Sequence, residues 1–83
     1  MAADESHAGP EAYALAQQAA DRLALALEEV GFDVGVAFPG LRGLLDVSGT
    51  PAVYLGSVAS AVSSALSAFL RDAVRLGARL PLR

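Results

Sequence analysis

The side chains able to do chemistry are few and scattered. The one histidine, His7, lies in a polar N-terminal stretch where nothing positions a base. Serines are plentiful, but no G-x-S-x-G turn occurs and no structured base accompanies them. Gly56-Ser57-Val58, at the start of an expected helix, offers free amides to an anion yet lacks the further glycines and the lysine of a phosphate loop. Glu28 and Glu29 are adjacent, so on a helix they diverge by about 100°. Asp33 and Asp46 are placed to meet across neighbouring strands, a pair that makes neither a calcium loop nor a hydrolase couple. With no cysteine there is neither thiol chemistry nor a disulfide framework. The expectation is a chain with no catalytic, cofactor-binding or metal-binding residue, one that is not an enzyme.

What remains is surface, and the elements that shape it. Eighty-three residues fit a single small domain, which buries a modest share of its surface and is marginal alone. The formal charge of −3 favours no strongly charged partner. Lys, Ile, Asn, Cys and Trp are absent and every basic residue is Arg, the usage that GC-rich codons produce, which points to a high-GC bacterial genome. Met1 to Pro10 lacks the basic and apolar blocks of a secretory signal, so a cytoplasmic setting is expected. Val47 to Leu70 is free of charge and is followed by arginines, the flank of a membrane span. Against a span stand Gly49, Pro51, Gly56 and serines that gather on one helical face.

The pattern divides the chain into a disordered tail over 1–9, one domain over 10–78 and a short tail over 79–83. Pro10 and Glu11 suit a helix start, and Leu15, Ala19, Leu23, Ala26, Leu27 and Val30 share a face of a helix that Gly31 closes. Phe32, Val34, Val36 and Phe38 alternate as in a half-buried strand. Pro39-Gly40 turns the chain into a second strand over 44–48, with Leu45 and Val47 inward. Gly49-Thr50-Pro51 turns it into a third over 52–56, with Val53 and Leu55 inward. Ser57 is a natural N-cap for a last helix striped with Val58, Val62, Leu66, Phe69, Ala73 and Leu76, which Gly77 closes. Arg71, Arg75 and Arg79 fall where the helix dipole favours positive charge. The expected fold is α+β: a two-layer α-β-β-β-α domain, a three-stranded antiparallel meander with two helices on one face and Phe69 buried beside Val36 and Leu55.

That element order resembles the double-stranded RNA-binding domain, helix, three strands, helix, whose second helix begins with a lysine cluster. Here the same place reads Ser57-Val58-Ala59-Ser60-Ala61, so the resemblance is one of topology and does not imply the activity. The run Val53-Tyr54-Leu55-Gly56-Ser57-Val58 and the helix ending Phe69-Leu70-Arg71 resemble the C-terminal part of small uncharacterised actinobacterial proteins, and imply no activity either.

The leading expectation is a non-catalytic module for protein contact, most simply a homodimer. A nucleic-acid-associated or regulatory protein using Arg71, Arg75, Arg79 and Arg83, and a single-span membrane protein, are the alternatives. Leu25 interrupts the polar face formed by Gln18, Asp21, Arg22 and Glu29 and is the expected centre of an antiparallel contact between first helices, widened by Tyr13 or Gln17. Leu41 and Arg42 at a loop tip, and Tyr54 with Gly35, Ala37 and Ala52 on the outer sheet face, are further contact candidates.

Overall fold

In the computed structural model, residues 2–81 are described, with side chains described from residue 9 onward. The order is α1 (Ala2–Val30), α2 (Val34–Ala37), β1 (Arg42–Leu45), β2 (Pro51–Tyr54) and α3 (Ser60–Arg75). The class is α+β. The expected three-stranded meander with two helices is corrected to one antiparallel hairpin with three helices.

Helix α1 extends back to Ala2 through the stretch read as a tail, with Pro10 inside it and withdrawing one N–H from its ladder. Gly31, at φ +126°, closes it. The Gly31 N–H donates to the Glu28 carbonyl at 3.0 Å and the Phe32 N–H to the Leu27 carbonyl at 3.0 Å, the paired bonds of a Schellman motif. Residue Phe32 thereby packs back towards Leu27.

The alternating segment 32–38 is not a strand. The Asp33 carbonyl accepts from the amides of Val36 and Ala37, at 3.0 and 2.7 Å, and winds Val34–Ala37 into one helical turn. Its inward set is therefore Val34, Ala37 and Phe38, a helical rather than a two-residue spacing. Val36, expected inside, is 77 % exposed, and Ala37, expected outside, is buried. Phe32 and Phe38 meet edge to face, with ring centroids 5.4 Å apart.

The strands start earlier than the pattern indicates. Arg42 pairs with Tyr54, Gly43 with Val53, Leu44 with Ala52 and Leu45 with Pro51. Val47, expected inward, stands fully exposed at the hairpin tip, and Leu55 is exposed beyond the end of β2. The tip is held by Asp46, whose Oδ1 accepts from the Ser48 amide (2.9 Å), the Ser48 hydroxyl (2.8 Å) and the Thr50 amide (3.0 Å).

The hairpin lies on α1, and the contact is made by backbone. Gly43 is buried against the helix so closely that a Cβ there would come within 2.5 Å of the Gln17 nitrogen and 2.6 Å of the Ala16 oxygen. The Gly43 N–H donates to Gln17 Oε1 at 3.3 Å. Ala16 and Ala20 supply the flat seat this approach needs, and both are buried. The buried face of α1 is in consequence turned by roughly 60–70° from the one the apolar pattern marks, at 100° per residue. Leu15, Ala26 and Val30 are left exposed.

Helix α3 is attached differently. Gly56, at φ +75°, sits against Gly40, and residues 55–59 run without regular structure. The helix starts at Ser60 with Ala59 in the cap position and no side-chain cap, so Ser57 does not cap it. Val58, Val62 and Leu66 pack on the cluster of Leu27, Ala37 and Phe38. Beyond Leu66 the stripe is covered only in part: Phe69, expected in the core, is 44 % exposed, and among the described residues no other helix or strand packs closely along α3. Gly77 closes the helix as expected, with the Gly77 N–H on the Val74 carbonyl (3.0 Å) and the Ala78 N–H on the Ala73 carbonyl (2.9 Å).

Candidate interaction surface

Three faces of the molecule combine apolar side chains with exposure. The first is the outer side of the hairpin. Arg42 and Tyr54 are a cross-strand pair, and the guanidinium carbon of Arg42 stands 4.6 Å from the centre of the Tyr54 ring. A cation over a ring face is favourable and holds both side chains flat on the strand surface. Leu44 and Ala52 occupy the same side by alternation. Leu41, a contact candidate whose other reading was a side chain folded back on the core, does fold back and packs against the Leu27–Ala37–Phe38 cluster. Gly35 and Ala37, expected on this face, belong to α2 and its turn.

The second face is the far side of α1. Leu25 is 60 % exposed and points away from the buried seat at Ala16 and Ala20. Tyr13 is exposed as well, but about 120° around the helix from Leu25, so the two do not form one patch. Gln17 is drawn to the hairpin side, bonding Gly43 and donating from Nε2 to Asp21 Oδ1 at 3.0 Å.

The third face is the distal half of α3. Here Leu70, Ala73 and Val74 line one side of a groove of about 700 Å³, and Ala78, Arg79 and Leu80 fold back to line the other. The fold-back follows from the left-handed turn at Gly77 and is tied down by Arg79, whose Nη1 donates to the Val74 carbonyl at 3.3 Å and the Ala78 carbonyl at 3.1 Å. A second groove, of about 270 Å³, lies between Val30, Gly31 and Phe32 on one side and Ala65 and Phe69 on the other. Charged groups border this face: Arg79 lines the larger groove, and Arg71 and Arg75 line a third, of about 370 Å³, with Leu70 and Val74. Arg75 also pairs with Asp72. The pattern had assigned Phe69 and Ala73 to the core, so this face was missed as a surface. The exposure of Leu70 and Val74 beside the stripe was the signal that it is wider than one hairpin can cover.

The groups considered for chemistry do not converge. Asp33 stands at the start of α2 and Asp46 at the hairpin tip, so they do not face each other across strands. The Ser48 hydroxyl, then the Thr50 amide, hold the Asp46 carboxyl below its ordinary value, and the ionised form serves the turn. Among the described residues no three imidazole, thiol or carboxylate groups come together. The side chain of His7 and all of Arg83 lie outside the described residues. Also among the described residues, no helix is long and apolar enough to cross a membrane. In comparisons with known proteins, no family model, no curated protein and no solved structure matches the chain.

Proposed function

We propose that this chain is a small non-catalytic module that works by protein contact, as a homodimer. One observation carries the reading: the large apolar side chains that a single copy leaves in water. Among the described residues the buried core is Ala16, Ala20, Leu27, Ala37 and Phe38, a small core for one chain to fold on alone. Leu15, Leu25, Val36, Tyr54, Phe69 and Leu70 are all exposed.

A cytoplasmic setting and a high-GC bacterial origin belong to the same proposal and rest on composition. Sedimentation equilibrium over a hundredfold range of concentration tests the reading. A dimer is expected, and a monomer throughout the range ends the proposal. Leu25→Glu then asks whether the outer face of α1 is in the contact.

A further inference from the structure

The hairpin has one edge crossed by a side chain and one edge left open. Register fixes which backbone groups face outward. The Asp46 N–H donates to the Thr50 carbonyl at 3.0 Å, so the bonded pairs recur at every second position from there, Leu44 with Ala52 and Arg42 with Tyr54. Gly43 and Val53 form the pair between, and their N–H and C=O groups point away from each other, to the outer edges. On β1 the Gly43 N–H is taken by Gln17 Oε1, which lays a side chain of α1 across that edge. On β2 the outward groups are those of Val53, the carbonyl of Pro51 and, by the same alternation, the N–H of Leu55. Among the described residues nothing bonds them, and no helix or strand besides β1 and α1 packs closely along β2. Residues 51–55 carry no charge, and the only guard on this edge is Pro51 at its start.

We infer that this edge takes the same edge of a second copy, antiparallel, on a two-fold axis through Val53. This rests on the homodimer reading and names the surface that makes the dimer. The pattern of outward groups selects a second copy. Val53 exchanges both its bonds with Val53 of the other chain. Pro51, which has a carbonyl to offer and no N–H, falls opposite Leu55, whose outward N–H needs an acceptor. On the face away from α1, Tyr54 lies beside Ala52 of the second copy, so a large side chain meets a small one. The product is a four-stranded sheet in the order β1-β2-β2-β1, and Gln17 across β1 ends the assembly at two copies. The flank of α1 agrees. Gln17 marks its β1 side; Leu15, Ala19 and Ala26 lie on the other side, towards β2, where Leu15 and Ala26 are exposed. With strands about 4.8 Å apart, helices centred under the two hairpins stand about 10 Å apart, the distance at which helices pack. The axis then sets this apolar flank against its own copy.

Sedimentation equilibrium compares Val53→Pro with Val53→Ala. Both change the side chain, and only the first removes the N–H at the axis. No bond within the hairpin is lost, because that N–H points away from β1. Val53→Pro should dimerise about 30-fold more weakly than Val53→Ala, since both bonds at the axis are lost. The chain has no cysteine, so crosslinking reads the register without relying on that variant. Ala52→Cys and Tyr54→Cys, made separately, mixed and exposed to oxidised glutathione, should give a disulfide-linked pair, because residues facing each other at an unbonded position have Cα atoms about 4.5 Å apart. Each variant alone should give far less. Crosslinking of Tyr54→Cys alone, as fast as the mixture, would move the axis to Tyr54 and overturn the inference. A wild type that is monomeric removes the homodimer reading altogether. A wild type that dimerises, with Val53→Pro and Val53→Ala associating equally well, keeps the homodimer and overturns the edge pairing.

Discussion

The two helices flanking the hairpin meet their neighbours in opposite ways. Helix α1 offers Ala16 and Ala20, and the hairpin answers with Gly43, so backbone lies on backbone and the contact closes in one copy. Helix α3 offers Phe69, Leu70 and Val74, and among the described residues they are covered only in part, by the edge of α1 and the chain folding back after Gly77. The apolar content of the two helices is similar. What differs is side-chain size relative to the space the connections leave. On α1 small residues close a contact of backbone on backbone, whereas on α3 large ones stay half in water.

This contrast can be broken or sharpened at four positions, in falling order of effect. Phe38→Ala removes the largest side chain of the closed part, where Leu27, Ala37 and Phe32 surround it. It should cost about 3–5 kcal/mol in urea denaturation, enough to leave most of a chain of about 5 kcal/mol stability unfolded. Gly43→Ala adds a single methyl group where the obstacle is helix backbone, which cannot rotate away. A loss of about 1–3 kcal/mol is expected, and an unchanged midpoint would mean that the hairpin does not sit on α1 as described. Phe69→Ala, measured at concentrations where the chain is monomeric, should cost only about 1 kcal/mol, the size typical of a partly exposed site. A loss as large as that of Phe38→Ala would place Phe69 in a closed core and erase the difference between the helices. The smallest effect belongs to Asp46. Its carboxyl titrates below the ordinary value, so the stability it lends is fully present above the unfolded value and drains away as pH falls through the folded one. The Ser48 and Thr50 amide resonances should report this below pH 4 and stay constant between pH 5 and 7, and Asp46→Asn should abolish the acid response.

Helix ends were legible in the sequence because they are local. Gly31 and Gly77 stop their helices whatever lies nearby, and both do so by the same pair of backbone bonds. The α+β class followed from the same local signals. The segment 32–38 was misread because Phe32, Val34, Val36 and Phe38 fit a strand as well as Val34, Ala37 and Phe38 fit a turn of helix, and so short a run cannot separate the two periods. The buried face of α1 was misread for a different reason. Leu15 and Val30 are more apolar than Ala16 and Ala20, but burial went to the residues small enough to let Gly43 approach. That preference exists only once the hairpin is placed opposite the helix, so no reading of α1 alone could find it. Among the candidate contacts, Arg42 and Tyr54 were each noted as exposed but from separate elements, and only the strand register brings them into one stack.

The attachment of α3 to the core cluster through Val62 and Leu66, with Val58 just before it, has a kinetic meaning. A unit held by three partly buried side chains can open while the rest of the molecule stays folded, and its amides then exchange with solvent through that partial opening. In dilute solution deuterium should enter Phe69 to Leu76 first and the Gly43 to Leu45 strand last, the latter only through global unfolding.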